Sequence, residues 1–206
     1  MSDIQCSKLT LKFQKIINIS FKNPLLLEEA LRHSSFKKGS SLNFNNERLE
    51  FLGDAVLKLI VSDFIFKRYP LDDEGVLTRI RSDLVCDKFL CKLALLIDLG
   101  SYLMMSYGES KTDGKTRPSN LANGFEALLG AIYLDQGLKK ASVFFIDLID
   151  TLDLKFSDIG HADYKSLLQE YTQKHKIDLP VYQTVSEEGP DHMKFFIVEG
   201  MITHHE

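Results

Sequence analysis

Asn45–Leu57 reads NNERLEFLGDAVL, and this stretch decides the fold of the chain. In a helix opened by an asparagine cap, Glu47, Glu50 and Asp54 fall at i, i+3 and i+7 and share one face. The apolar residues of the other side form an ordinary core stripe: Leu49, Leu52, Val56 and Leu59. The three carboxylates repel one another, and no Lys or Arg is spaced to relieve all of them. A divalent cation such as Mg²⁺ would relieve them, and a solvated acidic face is the alternative.

A second stretch, Leu121–Asp135, reads LANGFEALLGAIYLD and carries one charge in its middle. A helix that is apolar on all sides is buried, so Glu126 needs a partner, a proton or a metal ion. Asn123 lies one turn earlier and offers a second oxygen, while Gly130 and Ala131 are small enough to let another helix approach. The two helices together predict a carboxylate metal site.

Both stretches resemble motifs of one family. Asn46–Asp54, NERLEFLGD, resembles the signature of ribonuclease III, the double-stranded-RNA endonuclease, and Phe125–Asp135, FEALLGAIYLD, resembles that family's second motif. The resemblance implies a mainly α fold, with an all-helical ribonuclease III catalytic domain at 1–152. It also implies a homodimer in which each subunit cuts one strand and Phe51 lies at the subunit contact.

The resemblance further implies Mg²⁺-dependent hydrolysis of RNA duplexes, with Mn²⁺ as a substitute. The products would carry 5′-phosphates, 3′-hydroxyls and two-nucleotide 3′ overhangs. Carried over by position, the catalytic residues and metal ligands are Glu50, Asp54, Asn123 and Glu126, and the supporting acids are Glu47 and Glu74. Glu74 is equally explained as an acid favoured by the helix dipole.

Asn123 departs from the family pattern, which has aspartate at this position. An amide still offers a carbonyl oxygen to Mg²⁺, but it removes one negative charge and should weaken the site. The alternative function is therefore a weakened or inactive double-stranded-RNA-binding protein on the same fold.

The rest of the first part also predicts helices. Asn23 caps a helix with Pro24 in its first turn, the signature helix should run from about Glu47 to Tyr69, and residues 138–152 form a last amphipathic helix. His33 is either packed in the fold or catalytic. Residues 106–120 are polar and predict a mobile loop, in which Arg117 either contacts RNA phosphates or is simply solvated.

After a predicted linker at 153–160, the character of the sequence changes. Helix, strand, turn and strand in residues 161–206 resemble the first half of a double-stranded-RNA-binding domain, without its last strand and helix. The resemblance places RNA contacts at Gln169, His192 and Lys194. The fold class is therefore a helical nuclease domain followed by a partial α/β domain.

Composition agrees with a globular protein but is unusual for a nucleic-acid partner. The net charge is −4, and residues 161–206 hold four Lys against eight acids; subtracting these from totals of 25 and 29 leaves 21 of each sign in residues 1–160. RNA binding would therefore need a local basic surface.

No membrane span or signal peptide is indicated. Cys6, Cys86 and Cys91 lack metal-ligand spacing, which predicts reduced thiols in the cytoplasm. The resemblance to ribonuclease III implies either ribosomal or messenger RNA processing or, in a virus, destruction of silencing-related duplexes, and the residues do not decide between these roles.

Overall fold

A computed structural model describes residues 8–36, 44–152, 164–189 and 194–202. The chain divides into two compact units, Met1–Phe156 and Ser157–Glu206. The described helices of the first unit are α1 (Lys8–Ile16), α2 (Pro24–Ala30), α3 (Glu47–Arg68), α4 (Glu74–Val85), α5 (Asp87–Leu96), α6 (Leu99–Tyr102), α7 (Tyr107–Lys111), α8 (Pro118–Gln136) and α9 (Leu138–Thr151). The second unit contains α10 (Tyr164–Lys174), β1 (Val181–Glu188) and β2 (Phe195–Met201). The predicted fold class, helical first and α/β second, is confirmed.

Two further predictions concern the chain as a whole. Among the described residues, no helix combines the length and the apolar character needed to cross a membrane. Cys86 and Cys91 are free thiols, whereas Cys6 and the predicted linker at 153–160 lie outside the described residues.

α3 ends at Arg68, one residue before the predicted end at Tyr69, and an asparagine side chain caps its start, as predicted. Asn46 keeps helical backbone angles and makes no capping bond through its side chain. Asn45 supplies that bond instead, since its Oδ1 accepts the Glu47 backbone N–H at 3.2 Å. The predicted core position of Leu59 is wrong, because this side chain is 54% exposed. The buried residues of α3 are Leu49, Gly53, Val56, Leu57, Ile60, Val61 and Ile65.

The buried stripe of α3 follows Gly53 because α8 crosses at this residue. A Cβ added to Gly53 would overlap the backbone carbonyl of Glu126, and one added to Gly130 would overlap the carbonyl oxygen of Leu49. The backbones of α3 and α8 therefore touch at two glycines. Only residues without a side chain allow this approach, so the predicted role of Gly130 is confirmed and Gly53 has the same role on the facing helix.

Asp135, in the last turn of α8, ties this helix to the start of α2. Its two carboxylate oxygens accept the backbone N–H groups of Lys22 and Asn23, both at 2.8 Å. Asn23 in turn caps α2, since its Oδ1 accepts the Leu25 N–H at 3.2 Å, and Pro24 begins the helix as predicted. The far end of α8 is thus fixed independently of its crossing with α3.

His33 lies in a segment that is bonded to the residues after α6. Its backbone N–H donates to the Met104 carbonyl at 3.0 Å, and its Nδ1 lies 2.9 Å from Ser35 Oγ. Ser35 Oγ also accepts the Ser106 N–H at 3.1 Å. These bonds all lie within the fold and favour the packed interpretation of His33 over a catalytic one.

Residues 106–120 contain α7 and the start of α8, so the expectation that the whole segment is a loop is wrong. Ser106 caps α7 by accepting the Glu109 N–H at 3.2 Å. Arg117 Nη1 then bonds Glu109 Oε1 at 2.9 Å, and Asn120 Nδ2 donates to the Gly114 carbonyl at 2.9 Å. The polar side chains of this segment bond to one another, which composition alone does not reveal.

In the second unit, β1 and β2 pair antiparallel from Val181 opposite Met201 to Glu188 opposite Phe195, with an irregularity between Thr184 and Ser186. Gly189, at φ 100°, starts the predicted turn, and residues 190–193 lie outside the described residues. Large apolar side chains are exposed along both strands: Val181, Val185, Phe195, Phe196, Ile197, Val198 and Met201. A two-stranded sheet of this kind is marginally stable by itself.

Candidate active site

The acidic face of α3 forms one side of the candidate site. Glu47, Glu50 and Asp54 follow one another along the helix at the predicted spacing. Glu50 and Asp54 are half-buried, whereas Glu47 is exposed and accepts a hydrogen bond from Asn45 Nδ2 at 3.0 Å. The two inner carboxylates are therefore the ones that face the protein.

α8 supplies the other side. Asn123 and Glu126 are half-buried and lie one turn apart, among neighbours that are fully buried. Gly53 stands between Glu50 and Asp54 in the chain and contacts the backbone of Glu126. The helix crossing thus brings the Glu126 carboxylate within electrostatic reach of Glu50 and Asp54, which agrees with what the two motifs predict.

The charges at this crossing influence one another strongly. Burial raises the pKa of Glu126 to about 7, and the nearby carboxylates of Asp54, Glu50 and Asp87 act in the same direction. The pKa of Glu50 is also raised, first by burial and then by Glu47 and Asp87. The site is therefore a concentration of negative charge in a partly dry environment.

Two charged residues near this cluster were missed from the sequence. Lys58, one turn after Asp54 on α3, bonds Asp54 Oδ2 through its Nζ at 2.8 Å and lowers the pKa of Glu126. The signal was the i, i+4 spacing of Asp54 and Lys58. Asp87 opens α5 and has no periodic relation to the other acids, so only the packing of the helices brings its charge near Glu126.

The donor set fits a hard divalent cation in its chemistry. Glu50, Asp54 and Glu126 offer carboxylate oxygens, and Asn123 offers an amide carbonyl, which are the ligands that Mg²⁺ prefers. The pKa of Glu126 is raised first by burial and then by the carboxylates of Asp54, Glu50 and Asp87, and a bound cation would oppose both effects. Within the described parts of the chain, however, no three Asp, Glu, His or Cys side chains converge closely enough to hold one ion. For these residues to hold one cation together, their side chains would have to turn toward one another, and Asp54 would have to leave Lys58.

The metal-free protein should become less stable as the pH rises from about 4.5 to 7. The folded state raises the pKa of Glu126, so it retains a proton that the unfolded chain has released, and this preference is lost above pH 7. Because Glu126 is partly exposed, solvent screening reduces the loss to roughly 1–2 kcal/mol. Thermal unfolding in a chelator across this pH range measures it. Glu126→Gln should flatten the profile, and an unchanged slope in this variant would show that Glu126 is not its source.

The structure gives less support to the predicted role of Glu74 and to the predicted RNA contacts than to the acids of the helix crossing. Glu74 is exposed at the first turn of α4, after the Asp73 cap, and it is not among the charges that shift the pKa of Glu50 or Glu126. Gln169 is half-buried on α10, Lys194 Nζ bonds Glu187 Oε2 at 3.1 Å, and Arg117 is engaged with Glu109. His192 lies outside the described residues.

Comparison with protein-family models assigns both units. A model described as "Ribonuclease-III-like" matches residues 23–152, and one described as "Double-stranded RNA binding motif" matches residues 164–203. The first match contains α2 to α9 and hence every acidic residue of the helix crossing.

Known proteins agree over most of the chain. The protein named Ribonuclease 3 of a Nitratiruptor species is 42% identical over 192 residues, which cover 93% of this chain and 83% of that protein. Ribonuclease 3 of Borreliella burgdorferi is 45% identical over 91% of this chain and 78% of its own length. A solved structure of the nuclease domain of ribonuclease III from Campylobacter jejuni, which concerns flexibility in a region involved in dimer formation, aligns at a TM-score of 0.64. It is 41% identical and covers 68% of this chain and 95% of that domain.

The helical fold and its crossed acidic helices define a nuclease domain that is followed by an RNA-binding motif. The chain belongs to the ribonuclease III family. The resemblance seen in the two sequence motifs is thereby confirmed, and the chain is an endoribonuclease of this type.

Proposed function

We propose that this protein is a Mg²⁺-dependent endoribonuclease that hydrolyses phosphodiester bonds in double-stranded RNA. The products would carry 5′-phosphates, 3′-hydroxyls and two-nucleotide 3′ overhangs. The observation that supports the proposal is the contact of Gly53 with the Glu126 backbone, at a crossing where the charges of Glu50 and Asp54 act on the Glu126 carboxylate. Both cellular roles that the sequence allows require this same reaction.

In this proposal the chain's own residues hold and orient the reacting groups. Glu50, Asp54, Glu126 and the side-chain oxygen of Asn123 would hold the cation. Mg²⁺, when bound, supplies a Lewis acid for the phosphodiester and a site at which water is more easily deprotonated. Glu47 supports the site by adding negative charge next to Glu50, whose pKa it raises. The rigid crossing of α3 and α8 keeps the ligands in register.

Duplex RNA is the proposed substrate because the second unit matches an RNA-binding motif. Proteins read duplex RNA mainly through its shape, its 2′-hydroxyls and its phosphates. Gln169, His192 and Lys194 are proposed contacts of the second unit, and Arg117 of the first. Since Lys194 and Arg117 each hold a carboxylate in the free protein, RNA phosphates would exchange with these internal partners.

The direct test is incubation of the full chain with long double-stranded RNA and millimolar Mg²⁺. Short duplexes with 3′ overhangs are expected, and a chelator should stop their formation. Single-stranded RNA of the same sequence is the matched control and should be cut far more slowly. Intact duplex at every concentration of Mg²⁺ and Mn²⁺ would contradict the proposal.

Asn123→Asp should raise Mg²⁺-dependent cleavage about ten-fold, which corresponds to about 1.4 kcal/mol of transition-state stabilisation. The exchange adds one negative charge beside a divalent cation and keeps the shape of the side chain. Mn²⁺ accepts nitrogen and other softer donors more readily than Mg²⁺, so Mn²⁺ should partly rescue the wild type and narrow the difference.

Rates measured for both proteins in both metals provide the test. Equal rates in Mg²⁺ would remove Asn123 from the ligand set. Absence of cleavage in the wild type, together with activity in Asn123→Asp, would instead support the alternative of an inactive RNA-binding protein.

A homodimer is the proposed assembly, because staggered cutting of two strands needs two sites related by a two-fold axis. Phe51 is 82% exposed on α3, so its ring is available to a partner subunit and adds little to the core of its own. Phe51→Ala should lower the dimer affinity by about ten-fold or more while the secondary structure of the chain stays that of the wild type.

Phe66→Ala is the matched control for this prediction, since Phe66 is also exposed, at 71%, near the other end of α3. Light scattering at micromolar concentration should return about twice the 23.5 kDa chain mass for the wild type and for the control. A wild type that scatters as a single chain would contradict the assembly.

A further inference from the structure

Lys58 is a basic residue at the acidic cluster, and the proposed function gives it no role. Its Nζ lies 2.8 Å from Asp54 Oδ2, and the two side chains are 54% and 40% exposed. Asp54 is one of the proposed metal ligands, so an ammonium group already sits on an oxygen that the cation would use.

The position of Lys58 distinguishes it from an ordinary surface pair. Its charge opposes the carboxylates at Glu126, whose pKa it lowers while Asp54 and Glu50 raise it. Lys67 and Asp63 form the same kind of pair two turns further along α3, at 2.7 Å and with 71% and 55% exposure, and neither residue is among the charges that shift the pKa of Glu126. The same helix thus carries one pair inside the acidic cluster and one outside it.

We propose that Lys58 is an internal competitor of the divalent cation: its ammonium group neutralises Asp54 in the metal-free protein and must be displaced when the metal binds. Lys58 thereby sets the metal concentration at which the site fills. This inference rests on the proposed function, because it takes Asp54 to be a ligand.

The physical argument has two parts. Breaking the Lys58–Asp54 pair opposes metal binding, and any ammonium left near the site repels a second positive charge. A lysine is suited to this role because its compact charge sits on a flexible stem and can swing away. Both side chains are about half exposed, so water and salt limit the effect to about three- to ten-fold in affinity.

The test is Mn²⁺ binding to the full chain without RNA, after bound metals have been removed. The electron paramagnetic resonance signal of free Mn²⁺ reports how much metal the protein has bound. Lys58→Gln should bind Mn²⁺ about three- to ten-fold more tightly than the wild type. Lys58→Arg keeps the charge and the pair and should remain close to the wild type. Lys67→Gln is the matched control and should leave the affinity unchanged. In cleavage assays the Mg²⁺ concentration for half-maximal rate should fall by the same factor in Lys58→Gln alone.

The outcomes separate this inference from the proposed function. Suppose that the wild type binds Mn²⁺, that Glu126→Gln abolishes this binding, and that Lys58→Gln binds no more tightly than the wild type. This result would overturn the role of Lys58 and leave the metal site standing. Tighter binding in both Lys58→Gln and Lys67→Gln would also overturn it, since the effect would then be one of net charge. If the wild type bound no Mn²⁺ at this site, the competitor and the proposed function would fail together.

Discussion

Glu126→Gln should reduce cleavage of duplex RNA by about a thousand-fold, equivalent to about 4 kcal/mol of transition-state stabilisation. Glutamine has nearly the same shape, so the packing of α8 should not change, but the negative charge of one proposed metal ligand is lost. The variant should be at least as stable as the wild type above pH 7, because the amide has no buried charge to form. Single-turnover rates at saturating Mg²⁺ and the melting temperature measure the two effects.

Asp63→Asn is the matched control, since it removes a carboxylate from α3 that pairs with Lys67 away from the site. Its cleavage rate should equal that of the wild type. A loss of activity in Glu126→Gln that came with a lower melting temperature would indicate damage to the fold and would remove the evidence for a ligand at this position.

Gly53→Ala should lower the free energy of unfolding of the helical unit by about 3 kcal/mol, at the upper end of the range for overpacked sites. The added Cβ would overlap the backbone carbonyl of Glu126, and backbone cannot turn aside as a flexible side chain can. α3 and α8 must then separate, which moves Glu50 and Asp54 away from Glu126. The cleavage rate should therefore fall together with stability. A displacement of catalytic groups by about 1 Å is enough to lower a rate about a hundred-fold, so a loss of this size or more is expected.

Gly108→Ala is the control for this substitution, because a Cβ at Gly108, in α7, meets nothing within 4 Å. Alanine favours the helix over glycine, so this variant should be neutral or slightly stabilised. Chemical denaturation of the two variants gives the comparison. Equal stability of Gly53→Ala and the wild type would mean that the helices do not touch in solution as the structure has them.

The sequence predicted the two helices that matter most because each carries a long, unambiguous pattern. The acids of α3 repeat at helical spacing, and Glu126 is the one charge in the middle of an apolar stretch of α8, so both element type and burial followed. The error at Leu59 has a physical cause: the direction of the core stripe is set by the point where α8 crosses, and that point depends on Gly53. The periodicity of a sequence shows that a helix has an apolar face. It does not show which neighbouring helix covers that face.

Residues of the candidate site could be predicted where they belong to one of the two sequence motifs. Residues that only the packing of the helices brings near the site could not. Glu50, Asp54 and Glu126 came from the motifs, whereas the charge of Asp87 reaches the cluster only through the placement of α5. The prediction of a loop at residues 106–120 was wrong for a related reason. Its polar residues satisfy one another, as Arg117 does with Glu109, and such pairing is invisible to composition.

The contact of Gly53 with Glu126 also bears on how the chain is made. It joins two helices that are separated in the sequence by α4, α5, α6 and α7, and closing a loop of that length carries an entropic penalty before any packing compensates it. During synthesis α3 leaves the ribosome well ahead of α8, so its acidic face is first exposed without a partner. If Glu126 is a metal ligand, as proposed, the nascent chain has no complete site until α8 has emerged and docked on α3.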